Sequence, residues 1–171
     1  LGPLQKSVKL SPGDAEAQNN LGNTFQALGR LEEAEGSYKR AVELRHDFPQ
    51  AHYNLGNALR EQSKFEQAEA SYKRAIDLKP DLAEAHNNLG LTLRISGNLT
   101  NAESSYLRAI QLQPENASAH NALGMLRKDL SRSEEAMNSF SAAISLDPDF
   151  VDAHSNLGGA LVDLGRFEEA E

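Results

Sequence analysis

The sequence predicts an all-α protein assembled from tandem helical hairpins, and three observations carry that reading. First, Ala51-His52-Tyr53-Asn54-Leu55-Gly56 recurs as Ala85-His86-Asn87-Asn88-Leu89-Gly90, Ala119-His120-Asn121-Ala122-Leu123-Gly124 and Ala153-His154-Ser155-Asn156-Leu157-Gly158. Ala17-Gln18-Asn19-Asn20-Leu21-Gly22 precedes them, and the period is a constant 34 residues. Second, apolar residues within each period return at three- and four-residue intervals, a spacing that lines one side of a helix and cannot line one side of a strand. Third, each period is punctuated twice. Gly29 and Gly97 divide it into two helices, and Pro80 and Pro114 close it.

In chain order, residues 1–14 read as the tail of an earlier repeat, with Leu4, Val8 and Leu10 at helical spacing before Ser11-Pro12-Gly13. Residues 15–48 form the first complete unit. Ala17, Leu21, Phe25 and Leu28 mark its first helix, and Leu31, Ala34, Tyr38, Ala41 and Leu44 its second. Residues 49–82 form the most regular unit, with Phe65, Ala68, Tyr72, Ala75 and Leu78 as its second seam. Residues 83–116 repeat the scheme. Residues 117–150 depart from it, since Arg127 replaces Leu59 and Leu93, and Ser133 replaces Phe65 and Leu99. This unit is expected to be locally weaker than its neighbours. Ser63 and Ser131 stand at the turn where other units carry glycine. Residues 151–171 hold one first helix and only the opening of a second.

Gly22, Gly56, Gly90, Gly124 and Gly158 fall inside helices. Each costs about 1 kcal/mol relative to alanine, so a close helix approach is expected at every one. Ala34, Ala68, Ala102, Ala136 and Ala170 are the expected small partners on the second helices.

Composition narrows function by exclusion. Seventeen basic against 25 acidic residues give a formal net charge of -8, which argues against a nucleic-acid surface. No apolar run is long enough for a membrane span. There is no cysteine, which suits a reducing compartment and rules out thiolate metal sites. A cytoplasmic or other intracellular location is the expectation. Neither a phosphate-binding glycine loop nor a nucleophile–base pair is present, so this segment is expected to be non-catalytic and to need no cofactor. The chain begins and stops inside the repeat pattern and reads as part of a longer protein. Its open ends are expected surfaces for self-association.

Asn54, Leu55, Gly56, Ala68, Tyr72, Ala75 and Pro80 together resemble the tetratricopeptide repeat motif, and the likeness extends over essentially the whole chain. The resemblance implies a right-handed superhelical solenoid of antiparallel helix pairs. First helices would line a concave face and second helices a convex one. It also implies a protein-interaction scaffold binding an extended peptide or disordered segment.

On that reading Asn20, Asn54, Asn88 and Asn156 form a ladder of carboxamides, interrupted by Ala122. Each amide offers donors and an acceptor to a peptide backbone. The ladder is similar to that of O-linked N-acetylglucosamine transferase arms, so a substrate-recruitment arm of a larger enzyme is one rival. A structural or self-assembly module is another. Asn23 and Asn57 form a second row, continued by Leu91, Met125 and Gly159. Arg60, Arg94 and Lys128 form a cationic row suited to an acidic peptide, or else to pairing with Glu61, Asp129 and Asp163. His52, His86, His120 and His154 lie a full repeat apart, too far to share one metal ion, and are expected to be half-buried packing groups.

Overall fold

The computed structural model describes residues 13–167. Among these residues all regular structure is helical: α1 (Ala15–Ala27), α2 (Leu31–Leu44), α3 (Pro49–Glu61), α4 (Phe65–Leu78), α5 (Ala83–Ile95), α6 (Leu99–Leu112), α7 (Ala117–Asp129), α8 (Ser133–Leu146) and α9 (Val151–Asp163). Contacts divide the chain into two compact units, Leu1–Thr92 and Leu93–Glu171. Within the first unit α1 pairs with α2, α3 with α4, and α2 packs on α3. Within the second, α7 pairs with α8, α6 packs on α7, and α8 on α9. Of the expected helix tail in residues 1–14, all but Gly13 and Asp14 lies outside the described residues, as does the opening of the last second helix beyond Phe167.

Local chemistry accounts for where the helices begin and end. The Asp14 carboxylate accepts from the Glu16 and Ala17 amides at 2.9 and 3.1 Å, the bond that a free N-terminal turn lacks. Asn116 caps α7 in the same way through the Ala119 amide at 3.1 Å. Pro49 opens α3, where its missing N–H costs nothing. The first helices all close alike. The amides of Arg30, Lys64, Asn98, Arg132 and Arg166 donate to the carbonyls of Phe25, Leu59, Leu93, Arg127 and Leu161. These bonds span five residues and need one left-handed residue inside the turn. Gly29 and Gly97 supply it at φ 69° and 80°, and Ser63 and Ser131 are held there at 58° and 57°. A side chain is strained in that conformation, so the two serines meet a demand set by the repeat.

The core is small and aromatic. Ala34, Tyr38, Ala68, Tyr72, Ala102, Tyr106, Ala136 and Phe140 are all completely buried. This corrects the expected glycine contact. A Cβ on Gly56 would lie 2.6 Å from Tyr72 Cε1, one on Gly22 2.5 Å from Tyr38 Cε1, and one on Gly124 2.5 Å from Phe140 Cε1. The glycines therefore make room for an aromatic ring of the following helix, not for the alanines on it. The ring brings far more apolar area onto the helix backbone than a methyl group does.

The polar substitutions of the fourth repeat are absorbed in two ways. Leu126 is fully buried where Ala58 stands in the second repeat, so apolar mass moves by one position along the helix. The Arg127 guanidinium donates to Ser139 Oγ at 2.8 Å and lies 3.6 Å from carboxylate oxygens of both Glu103 and Glu135. Arg132 completes this group with pairs to Glu103 at 2.9 Å and Glu135 at 2.6 Å.

Candidate functional site

The first helices carry the predicted ladder, and its amides bond mainly to polar side chains of the preceding first helix. Asn54 is buried. Its Nδ2 donates to Asn19 Oδ1 at 3.0 Å and to Asn23 Oδ1 at 3.1 Å, while its Oδ1 accepts from Gln50 at 3.0 Å. Half-buried Asn88 donates to the Tyr53 hydroxyl at 3.1 Å and to Asn57 Oδ1 at 2.9 Å. Asn156 donates to Asn121 Oδ1 at 3.0 Å. The rule is a reach of 35 residues back to the preceding repeat, and 31 where Asn23 or Asn57 is available. Asn20, in contrast, is exposed.

This register involves residues outside the predicted set: Asn19, Gln50, Tyr53 and Asn121. The Asn87 Oδ1 is buried and has no hydrogen-bond partner.

The second amide row behaves differently. Asn23 Oδ1 accepts from Tyr38 OH at 2.8 Å as well as from Asn54. Asn57 Oδ1 accepts from Tyr72 OH at 2.8 Å as well as from Asn88. Two donors on each carbonyl oxygen fix the orientation of the amide plane and turn the two Nδ2 groups away from the core. Asn23 is exposed and Asn57 half-buried. Burial drives the hydroxyls toward the neutral form: it pushes Tyr72 up to about 12, with Arg60 opposing it, and raises Tyr38 as well. In the third and fourth repeats Leu91 and Met125 occupy this row. Phe140 there lacks the hydroxyl that Met125 could not satisfy, and the buried hydroxyl of Tyr106 is left without a well-formed hydrogen bond.

The three predicted cations separate. Arg94 Nη1 lies 2.7 Å from Asp129 Oδ2, and Lys128 Nζ 3.5 Å from Asp163 Oδ2. Both join consecutive repeats through a 35-residue reach, as Gln26 does to Glu61 at 2.7 Å. Arg60 has Ile95 at that position in the sequence, and no ion pair is formed by it among the described residues. A second set of links joins second helices to the next turn. Glu35 takes Lys64 at 2.7 Å and Lys39 at 2.6 Å. Burial works to raise the Glu35 carboxyl, but hydrogen bonds from Lys39, Lys64 and Gln62 prevail and hold it at about 2.

His52, His86 and His120 are half-buried as expected, whereas His154 is exposed, and all four are hydrogen-bonded. Each Nε2 meets the carbonyl six residues earlier: His52 with His46 at 3.1 Å, His86 with Pro80 and His120 with Pro114 at 3.0 Å, and His154 with Pro148 at 2.9 Å. Each ring thus ties the start of a first helix to the loop before it. Burial pushes the His52 imidazole below its ordinary range, with the His46 carbonyl bond opposing. Among the described residues no group of three or more His, Asp or Glu is placed to hold a metal ion, and no helix is long and apolar enough to cross a membrane.

A search of curated proteins returns no significant match. Solved structures do match. YrrB, a TPR protein with an unusual peptide-binding site, aligns at 24% identity and a TM-score of 0.79 over 98% of this chain and 86% of its own. MamA from Desulfovibrio magneticus RS-1, from residue 41 onward, aligns at 22% identity and a TM-score of 0.84 over 91% of this chain and 88% of its own. The Cut9–Hcn1 hetero-tetramer of the APC/C aligns at 20% identity and a TM-score of 0.85, over 98% of this chain and 33% of that one. At these identities the likeness shows the fold. The family model for the TPR repeat matches residues 22–62, 56–94, 90–131 and 126–165, and a second tetratricopeptide model matches residues 4–36. With repeat period, helix pairing and family models in agreement, the chain belongs to the tetratricopeptide repeat family.

Proposed function

We propose that this protein is a non-catalytic scaffold that binds an extended peptide or a disordered protein segment on the face of its first helices. The observation that carries this reading is the orientation of Asn23 and Asn57. Each carbonyl oxygen is held by a tyrosine hydroxyl and a ladder asparagine. Each Nδ2 is therefore a pre-oriented donor, one repeat from the next. A peptide carbonyl docking there meets an amide whose rotamer is already fixed, which lowers the ordering cost of binding. Asn54 and Asn88 act as the residues that set this orientation, and Asn20 presents a further exposed amide at the start of the row. Within the second unit Asn156 makes the corresponding bond to Asn121. YrrB, with its peptide-binding site on the same fold, supports the reading.

The test uses an array of acetylated, amidated twelve-residue peptides. Asn57→Asp keeps the acceptor that Tyr72 and Asn88 need but removes both amide donors. It should weaken the tightest array peptides about tenfold, the order expected for one buried hydrogen bond, while circular dichroism remains that of the parent. Unchanged affinity in a folded Asn57→Asp protein rejects the role of this row. Failure of the parent protein to bind any peptide rejects the function itself.

A further inference from the structure

Arg60 differs from the other cations of its row in what surrounds it. Arg94 and Lys128 each close on an acid 35 residues ahead, Asp129 and Asp163. The position 35 residues after Arg60 is Ile95. The acid adjacent to Arg60 in sequence, Glu61, is already taken by Gln26 Nε2 at 2.7 Å. Among the described residues Arg60 forms no ion pair; it interacts with the Tyr72 hydroxyl, and its Nε, like that of Arg94, is buried without a hydrogen-bond partner. The residue is only half-exposed, so a guanidinium with a neutral hydroxyl for company is partly desolvated and lacks a counter-charge, a condition that costs free energy until one is supplied.

Its neighbours define what kind of counter-charge fits. Arg60 follows Asn57 by three residues on α3, so both project from one face of that helix, one turn apart. The Asn57 Oδ1 is saturated by Tyr72 and Asn88, which leaves an amide donor beside the guanidinium. The local set is therefore all donors: the Arg60 fork and the Asn57 amino group. A carboxylate presents two acceptor oxygens and a negative charge, and guanidinium–carboxylate pairing is the strongest hydrogen-bonded arrangement available to these groups.

We infer that Arg60, with Asn57 beside it, is a recognition point for an Asp or Glu side chain of the bound peptide, whereas Arg94 and Lys128 serve as links between repeats. This deepens the peptide-binding reading and rests on it. The Glu61 carboxylate next in sequence narrows the choice further. A ligand bearing several adjacent acids would meet repulsion there, so a single acidic side chain in an otherwise neutral segment suits the site.

The experiment uses the same capped peptide array, in matched pairs that differ only by Glu against Gln at one position. The parent protein should prefer the Glu member of its best pairs by about tenfold. Arg60→Gln should bring the two members level while binding to neutral peptides persists, and Arg60→Lys should restore part of the preference. Arg94→Gln should lower the melting temperature by breaking the Asp129 link but leave the preference intact. A Glu preference that survives Arg60→Gln, or that disappears in Arg94→Gln, overturns the assignment. Binding by the parent without any Glu preference overturns it too and leaves the scaffold reading standing. Absence of binding to every peptide overturns both.

Discussion

The second and fourth repeats solve one packing problem with different residues. In the second, Ala58 and Leu59 are both buried on α3, Tyr72 fills the space over Gly56, and Asn57 receives its hydroxyl. In the fourth, Leu126 takes the buried mass, Arg127 turns to Ser139, Glu103 and Glu135, and Phe140 lies over Gly124 with Met125 where the amide stood. The ring-over-glycine contact is common to both. The comparison separates what the repeat requires from what each unit is free to vary. The backbone approach is fixed, and the polar chemistry around it changes in coordinated pairs.

The largest expected effect tests the common element. Gly56→Ala and Gly124→Ala would each place a methyl group 2.5–2.7 Å from ring carbons of Tyr72 or Phe140. Alanine is ordinarily the better helix residue by about 1 kcal/mol, and overpacking costs about 1–3 kcal/mol. Both proteins should therefore be destabilised, by up to about 2 kcal/mol, in chemical denaturation. Gly36→Ala is the control. Nothing lies within 4 Å of a Cβ there, so it should be neutral or stabilising. If Gly56→Ala is as stable as Gly36→Ala, the ring contact is not what holds glycine in the motif.

A smaller effect tests the coordinated pair. Phe140→Tyr buries a hydroxyl beside Met125, whose thioether is a poor acceptor. An unsatisfied buried hydroxyl costs about 1–3 kcal/mol. Met125→Asn made together with it rebuilds the arrangement of Tyr72 and Asn57 and should recover most of the loss. A double variant no more stable than Phe140→Tyr alone would show that the two positions do not act as a pair.

These contrasts also mark how far the sequence could be read. Period, helix limits and the two serine turns follow from spacing and from the demand for a left-handed residue, both local properties. The partner of each glycine did not follow, because alanine and tyrosine at the second helix are both invariant enough within the repeats to fit a small-partner argument. Only the depth of the backbone approach decides between them. Likewise Asn20, Asn54, Asn88 and Asn156 were legible as a row. That Asn54 is spent on Asn19 and Asn23 depends on the stacking offset between repeats, which turns a 34-residue period into 35- and 31-residue contacts. One signal for it was present: Asn57 with Tyr72 becomes Met125 with Phe140. The acids Asp129 and Asp163, set against Ile95, were a second signal, and they separate Arg60 from the rest of its row.

The smallest expected effect concerns local opening. Arg127 and Ser133 remove apolar contact that Leu59 and Phe65 supply, and the replacement bonds of Arg127 are partly exposed, its side chain 19% and that of Glu135 45%. Leu126 returns part of the loss. The net difference in opening free energy between residues 118–133 and residues 50–64 should thus be modest, about 1 kcal/mol or a several-fold faster amide exchange in the fourth repeat. Added salt separates the two contributions. It screens exposed charge pairs and leaves Leu59 untouched, so raising ionic strength should widen the gap between the two segments. A gap that is absent at low salt would show that Leu126 and the Arg127 group compensate in full. A gap that is present but insensitive to salt would assign it to the lost apolar contacts alone.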